Sequence, residues 1–154
     1  MLFRSLSTDY KTANIYRDTS SWYHIVVQND TSSTPIIKIY VNGVETSYSS
    51  TTSATRTTNF TQTSTNLNMQ IGIWGTSDSF NGYMANIQFI DGQALDANAF
   101  GTYREGVWIP KQYGSGDSAN AQAEYGTNGF HLDFSNAGNL GKDVSGNDND
   151  WAVN

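Results

Sequence analysis

The segments WYHIVV at 22–27 and IIKIYVNGV at 36–44 decide the fold. The first is a run of aromatic and β-branched residues of strand length. In the second, Ile37, Ile39 and Val41 alternate with polar or amphipathic neighbours, which predicts a strand with one buried face. Asn42-Gly43 then predicts a two-residue hairpin, because both central residues of a type I′ turn need a positive φ. Together they predict an antiparallel meander, with a third strand at 44–48.

Similar alternation continues further along the chain. Met69, Ile71 and Ile73 share a face of a predicted core strand at 68–74. Tyr83, Ala85, Ile87 and Phe89 predict the buried face of a strand at 81–90. Residues 94–100 have the spacing of one short helical turn, the single helix predicted. Many short strands separated by Gly, Asn and Asp turns predict an all-β fold, a two-sheet antiparallel jelly-roll sandwich.

The same segments resemble a known family. Trp22-x-His24-Ile25-Val26, followed by Lys38-Ile39-Tyr40-Val41-Asn42-Gly43, is similar to the signature of laminin G-like domains in the concanavalin A-like lectin/glucanase superfamily. The segments at 80–89, 91–95, 106–111 and 125–130 extend the resemblance, in a version found in phage and marine-virus tail-fibre proteins. The resemblance implies the sandwich fold, but it does not imply one ligand, because this superfamily includes lectins, glycosidases and structural modules.

The domain organisation predicted from the sequence has three parts. Residues 1–113 form an N-terminally abbreviated laminin G-like sandwich, and 114–124 form a flexible connection. Residues 125–154 resemble the opening strand and loop of a laminin G-like domain. They either close the same sandwich or begin a tandem second domain, and an unpaired apolar strand would favour closure.

The composition of the chain argues against two classes of function, nucleic-acid binding and membrane insertion. Only 14% of the residues are charged, the net charge is −6, and there are no cysteines. Eight scattered basic residues argue against nucleic-acid binding, which needs clustered Lys and Arg. The sequence has no apolar run of membrane-spanning length and no signal peptide, so we expect no membrane insertion.

Glycoside hydrolysis is the first enzymatic possibility, since glucanases share this fold. A retaining mechanism needs two carboxyl groups about 5 Å apart. The glutamates, Glu45, Glu105 and Glu124, have no second acid at the required strand spacing. His24 has a structural position in the family signature, so the prediction is that the protein is not an enzyme.

Calcium is the one cofactor that the sequence suggests. Asp143, Ser145, Asn147 and Asn149 alternate oxygen-bearing side chains around Gly146, and calcium prefers six to eight oxygen ligands. The same residues are also typical of a turn, and no terminal Glu follows them. Both readings remain open.

Two sets of aromatic residues are candidates for sugar binding, which needs aromatic rings beside hydrogen-bonding groups. The preferred set is the turn that carries Trp74, Asp78, Phe80, Asn81 and Tyr83. Exposure of Trp74 and Tyr83 would favour a lectin, and their burial would favour a spacer. The second set is Tyr48, Trp108 and Tyr113.

The function expected from the resemblance is a non-catalytic carbohydrate-binding or adhesion module. It would belong to a phage tail fibre or another virion appendage, act on the virion or outside the cell, and recognise host-surface glycan through many weak sites. Its other partners would be virion or fibre subunits, including further copies of itself. The alternative is a structural or protein-binding virion domain without sugar affinity, and the remote alternative is a glycoside hydrolase.

Overall fold

The computed structural model describes residues 2–5, 8–32, 36–52, 71–74 and 78–153. These residues are rich in short antiparallel strands and contain very little helix. The strands are β1 (Leu2–Ser5), β2 (Thr8–Thr12), β3 (Ile25–Asp30), β4 (Ile36–Val41), β5 (Val44–Glu45), β6 (Tyr48–Thr52), β7 (Ile73–Trp74), β8 (Asp78–Ser79), β9 (Ile87–Phe89), β10 (Gly101–Arg104), β11 (Val107–Pro110) and β12 (Phe130–Leu132). The all-β antiparallel prediction is confirmed, while closure into a jelly roll stays a prediction.

The described residues fall into two compact units. Unit 1 comprises Met1–Asn59 and Gln93–Tyr113, and unit 2 comprises Phe60–Gly92 and Gly114–Asn154. Unit 1 contains the sheets β1-β2-β6 and β3-β4-β5 and the hairpin β10-β11. Unit 2 contains the pairs β7-β8 and β12-β9.

The predicted meander is the centre of unit 1. β3 pairs with β4 so that Val27 lies opposite Ile39, and β4 pairs with β5 through Val41 and Val44. The turn residues Asn42 and Gly43 have φ of 51° and 80°, as a type I′ hairpin requires. The alternation is confirmed, because Ile37, Ile39 and Val41 are buried.

The third strand of the meander is shorter than predicted. β5 ends at Glu45, and the chain then crosses to another sheet, where β6 pairs with β2. The Tyr48 hydroxyl accepts a hydrogen bond from the Ile39 N–H and donates one to the Ile37 carbonyl. A side chain therefore satisfies the part of β4 that a longer β5 would have covered.

Unit 2 has its core around β12. Phe130 and Leu132 are buried and pair with Phe89 and Ile87 of β9. The Trp151 ring packs edge-on against Phe130, with 4.9 Å between ring centroids. Residues 130–132 thus pair with 87–89 of the same chain, while the predicted choice between closing one sandwich and opening a tandem domain stays a prediction.

Two sequence expectations in unit 2 are wrong. Ile73 is partly exposed rather than a core residue, and β9 begins only at Ile87. Asn86 has a φ of 50°, which is incompatible with an extended strand, so β9 cannot continue toward the N-terminus beyond Ile87. Tyr83 consequently lies outside the strand and is exposed instead of buried.

Helix is confined to two short segments in the described chain. A 3-10 helix spans Ala97–Ala99, within the predicted helical turn, and the Asp96 carboxylate accepts a hydrogen bond from the Asn98 N–H. A second helix, α1 (Ala121–Tyr125), was not predicted. It begins inside the segment that the sequence marks as a flexible connection, and it buries Ala121 and Tyr125.

Candidate functional site

The preferred sugar-binding turn starts from a short hairpin in unit 2. β7 and β8 pair Trp74 with Asp78, and the Phe80 N–H donates to the Gly72 carbonyl at 2.7 Å. This hydrogen bond extends the β7-β8 pairing by one residue on each side and positions the backbone of Phe80 at the end of the hairpin. The side chains of Trp74 and Asp78 lie outside the described part of the structure.

Three side chains of this turn are exposed to solvent. Tyr83 is 89% exposed and Phe80 is 57% exposed, and Asn81 between them is also exposed. Within the described chain, neither Asn81 nor Tyr83 makes a hydrogen bond. Two aromatic rings and an amide with all its hydrogen-bonding capacity available are the kinds of groups that stack on and bond to a saccharide. We call residues 80–83 the aromatic turn.

The Phe80 ring lies beside Gly82. A Cβ atom at Gly82 would lie 2.9 Å from two atoms of the ring, so the ring folds against a backbone position that only glycine leaves open. The turn therefore presents two exposed rings, Phe80 and Tyr83.

The far end of the segment is anchored by a histidine. His131 Nε2 lies 3.4 Å from the Asn86 side-chain oxygen, next to the positive-φ residue that precedes β9. Burial lowers the pKa of His131, against the opposing influence of Asp133 and Asp143. The lowered pKa favours the neutral ring at pH 7, and a neutral ring protonated at Nε2 would donate to the Asn86 oxygen.

The predicted calcium residues come together in one loop of unit 2, centred on a buried carboxylate. Asp143 is 2% exposed. One of its oxygens accepts hydrogen bonds from the N–H groups of His131 and Ser145, and the other accepts from the Ser145 hydroxyl and the Asn149 N–H. Burial alone would raise the pKa of Asp143, but these hydrogen bonds lower it, so the group is ionised.

The two asparagines of the same loop are turned toward the backbone. Asn147 Nδ2 donates to the carbonyls of Gly126 and Gly129, and Asn149 Nδ2 donates to those of Thr127 and Gly129. A calcium ion bound by Asp143 would have to displace four hydrogen bonds. This arrangement does not fit a cation ligand set and favours a structural loop, and the calcium site stays a prediction. We call residues 143–149 the aspartate loop.

The second predicted aromatic set is engaged in structure within unit 1. Trp108 Nε1 donates to His24 Nδ1 at 3.0 Å, and the indole lies against Gly43 and Gly101. The Tyr48 hydroxyl bonds to β4, and the Tyr113 ring packs on Phe100 with 5.0 Å between centroids. These rings stabilise the fold and are poor candidates for a sugar platform.

His24 has a structural position, as the sequence predicted. Its ring accepts the indole N–H, and burial lowers its pKa. The same residue also binds the turn between β4 and β5, because the His24 N–H donates to the Asn42 side-chain oxygen. The Trp-x-His and Val-Asn-Gly motifs are thus joined by hydrogen bonds.

Sequence reasoning missed the exposure of Trp22. Trp22 is 67% exposed, because β3 begins at Ile25 and not at the start of the apolar run. The sequence signal was the run Asp18-Thr19-Ser20-Ser21, which is typical of a turn; in the structure the Asp18 carboxylate accepts hydrogen bonds from Ser20 and Ser21. These bonds lower the pKa of Asp18 to about 2.

Comparison with known proteins identifies the family. Residues 5–99, more than half of the chain, match the family model described as the concanavalin A-like lectin/glucanases superfamily. The chain belongs to this superfamily. No curated protein and no solved structure matches the chain.

The match covers the hairpin, the aromatic turn and the 3-10 helix of this superfamily member, and it ends before α1 and the aspartate loop. In the part of the chain that the structure describes, no helix is long and apolar enough to cross a membrane. The described residues also contain no group of three or more His, Cys, Asp and Glu side chains that could hold a metal ion.

Proposed function

We propose that this protein is a non-catalytic carbohydrate-binding module whose sugar site is the aromatic turn. The observation that carries the proposal is the exposure of Phe80 and Tyr83 around Asn81, whose side chain makes no hydrogen bond within the described residues. Solvent-exposed rings in a polar turn cost apolar hydration, and stacking on the apolar face of a sugar ring would recover it. Membership in a superfamily that includes lectins supports this reading.

The positions of the three glutamates support a non-catalytic role. Glu45 lies 3.5 Å from the Lys38 ammonium, and Glu124 accepts hydrogen bonds from Ser115. Glu105 is exposed at the tip of the β10-β11 hairpin, with a φ of 50°. Each glutamate thus has a structural or surface position, unlike the paired carboxylates of a glycosidase cleft.

The biological setting that we propose is a phage tail fibre or similar virion appendage that recognises host-surface glycan. The sparse charge and the many Ser, Thr and Asn residues are typical of an exposed β-rich surface. A single shallow turn offers a weak site, so repeated copies on a fibre would supply the avidity. This setting rests on the resemblance of the sequence motifs to tail-fibre repeats.

A protein-contact role is the second candidate, and one observation favours it. In unit 1, Val44, Val107 and Ile109 are exposed apolar side chains on the β4-β5 and β10-β11 hairpins. Exposed apolar side chains on hairpins are suited to contact with another fibre subunit or a second copy of the chain. This role would involve unit 1 and is compatible with sugar binding by unit 2.

A glycan-array screen of the purified chain tests the proposal. We expect saturable binding that Tyr83→Ala and Phe80→Ala each weaken about tenfold, the size of one lost stacking contact. Trp22→Ala is the control, because it removes another exposed aromatic ring outside the aromatic turn and should leave binding unchanged. Trp74→Ala tests the predicted residue whose side chain is outside the described structure.

Calcium is varied in the same screen. Because Asp143 already accepts four hydrogen bonds, we expect equal binding with added calcium and with a chelator. Binding that requires calcium and is lost in Asp143→Asn would favour the aspartate loop as a metal site. No binding by well-folded protein at high valency would contradict the carbohydrate-binding proposal and favour the protein-contact role.

A further inference from the structure

The chain contains three Asn-Gly dipeptides, at 42–43, 81–82 and 128–129. An Asn followed by Gly can lose its amide spontaneously, because the next residue lacks a Cβ that would block the approach of its backbone nitrogen. The Gly nitrogen attacks the Asn Cγ and forms a cyclic imide, and ammonia leaves with the amide nitrogen and the proton of the attacking N–H. Water then opens the ring to aspartate or isoaspartate.

The reaction requires a free side chain and a mobile backbone, and Asn42 has neither. Its side-chain oxygen accepts the His24 N–H at 2.8 Å, and its carbonyl accepts the Tyr103 hydroxyl at 2.9 Å. Gly43 is packed against the Trp108 ring. The side chain could reach the Gly43 nitrogen only after the hairpin opened.

Asn128 is restricted in a different way. Its amide nitrogen donates to the Asp91 carboxylate at 2.7 Å, and the attacking nitrogen, that of Gly129, donates to the Gly126 carbonyl at 3.3 Å. Gly129 is buried against the Tyr125 backbone. Both reacting groups are therefore held in hydrogen bonds.

Asn81 is the open case. It is exposed and lies outside any helix or strand, and across the described chain neither its side chain nor the Gly82 N–H has a hydrogen-bond partner. Gly82 contacts only a side chain, the exposed Phe80 ring, at the position where a Cβ would be. Nothing in the fold has to open before the nitrogen of Gly82 approaches Asn81.

We propose that Asn81 is a deamidation site that modifies the aromatic turn, while Asn42 and Asn128 are protected by the fold. Aspartate at this position adds a negative charge between the rings of Phe80 and Tyr83. Isoaspartate also inserts a methylene group into the backbone between them, which changes the ring spacing. The consequence for sugar binding rests on the proposed function, whereas the modification itself does not.

Peptide mapping by mass spectrometry tests the site on the unmodified protein. Cleavage after Lys and Arg separates the three dipeptides into peptides 39–56, 57–104 and 112–142. After incubation in warm, mildly alkaline buffer, we expect peptide 57–104 to exchange an amide for an acid at least about tenfold faster than the other two. The unfolded chain in denaturant should lose this preference, with the three rates within about threefold.

The result that would overturn the proposal is a rate at Asn42 or Asn128 in the folded chain within about threefold of the rate at Asn81. Asn81→Gln assigns the position, because its longer side chain forms the imide slowly. If peptide 57–104 of this variant still converts at the original rate, another asparagine is the site. Conversion of Asn81 with unchanged saccharide binding would contradict the sugar site at the aromatic turn and leave the modification standing.

Discussion

The aspartate loop and the aromatic turn belong to the same unit and both contain polar, turn-forming residues. Side chains of the loop are hydrogen-bonded within the fold, whereas those of the turn are exposed to solvent. In the loop, Asp143 accepts four hydrogen bonds and the amides of Asn147 and Asn149 each donate two. In the turn, Asn81 is unbonded in the described chain and Tyr83 is almost fully exposed. Both segments contain Asn and Gly, but they differ in what their side chains contact.

This difference separates structural residues from residues available for binding. A buried carboxylate is tolerated only when hydrogen bonds replace the water that it loses, and once they do it contributes to stability. An exposed ring contributes little to stability and keeps its surface for a ligand. We therefore expect substitutions in the loop to affect folding and substitutions in the turn to affect binding.

The largest expected effect is at Asp143. Asp143→Asn keeps one acceptor oxygen and replaces the other by an NH2 group, so two of the four donors, for example the Ser145 hydroxyl and the Asn149 N–H, face a donor instead of an acceptor. We expect the free energy of unfolding to fall by about 3 kcal/mol, measured by urea denaturation. Asp148→Asn is the matched control on the same segment, because the Asp148 side chain is 84% exposed, and it should change stability by less than about 0.5 kcal/mol.

The engaged aromatic residues of unit 1 sharpen the comparison. Trp108→Phe keeps a six-membered ring but removes the five-membered ring of the indole, including the N–H that donates to His24. We expect unfolding to become easier by about 1 kcal/mol, seen as a lower denaturation midpoint. An unchanged midpoint would show that a hydrogen bond to an aromatic side chain does not distinguish stabilising aromatic residues from those available for binding.

A smaller effect is expected from pH. Burial lowers the pKa of His24 and, as its largest influence, that of His131, so the folded chain binds protons less readily than the unfolded chain. The two rings therefore contribute full stability above their ordinary pKa of 6.5, and the unfolding free energy falls as the pH drops below that value. His24→Gln and His131→Gln should each reduce this dependence between about pH 7.5 and about pH 5.5.

Asp143 titrates in a separate window. Its lowered pKa means that its contribution is present above the ordinary value of 3.8 and is lost as the pH falls through the folded value. If the decline in stability below pH 6.5 remains in a double His24→Gln, His131→Gln variant, the assignment to histidine is wrong.

The smallest expected change in stability is at the aromatic turn. Tyr83→Ala and Phe80→Ala remove exposed rings, and each should alter the free energy of unfolding by less than about 0.5 kcal/mol. The change should be the larger of the two at Phe80, because its ring lies beside Gly82. Thermal or urea denaturation measures this directly. A loss above about 2 kcal/mol would show that the turn is part of the core of unit 2.

The sequence predicts those parts of the fold that depend on local pattern. Alternation at Ile37, Ile39 and Val41 and the Asn42-Gly43 turn identify the meander, because one buried face and two positive φ angles leave few alternatives. The resemblance of the same residues to laminin G-like domains identified the superfamily. These features need no information from distant parts of the chain.

The rest depends on contacts between distant residues. Tyr83 fits a buried strand by alternation, but the positive φ at Asn86 keeps Tyr83 out of β9, which begins at the next residue. His131 contacts Asn86 from another segment. The asparagines of the aspartate loop have the composition of a cation site, and only the backbone carbonyls near Gly126 and Gly129 show where their amides point. Neither contact leaves a local signal in the sequence.

One paired measurement tests the central claim most directly: saccharide affinity and unfolding free energy measured on both Tyr83→Ala and Asp143→Asn. We predict that Tyr83→Ala loses about tenfold in affinity with unchanged stability. Asp143→Asn should lose about 3 kcal/mol of stability, while its folded fraction binds saccharide normally. Unchanged affinity in Tyr83→Ala, or lost affinity in folded Asp143→Asn, would contradict the division between a binding turn and a structural loop.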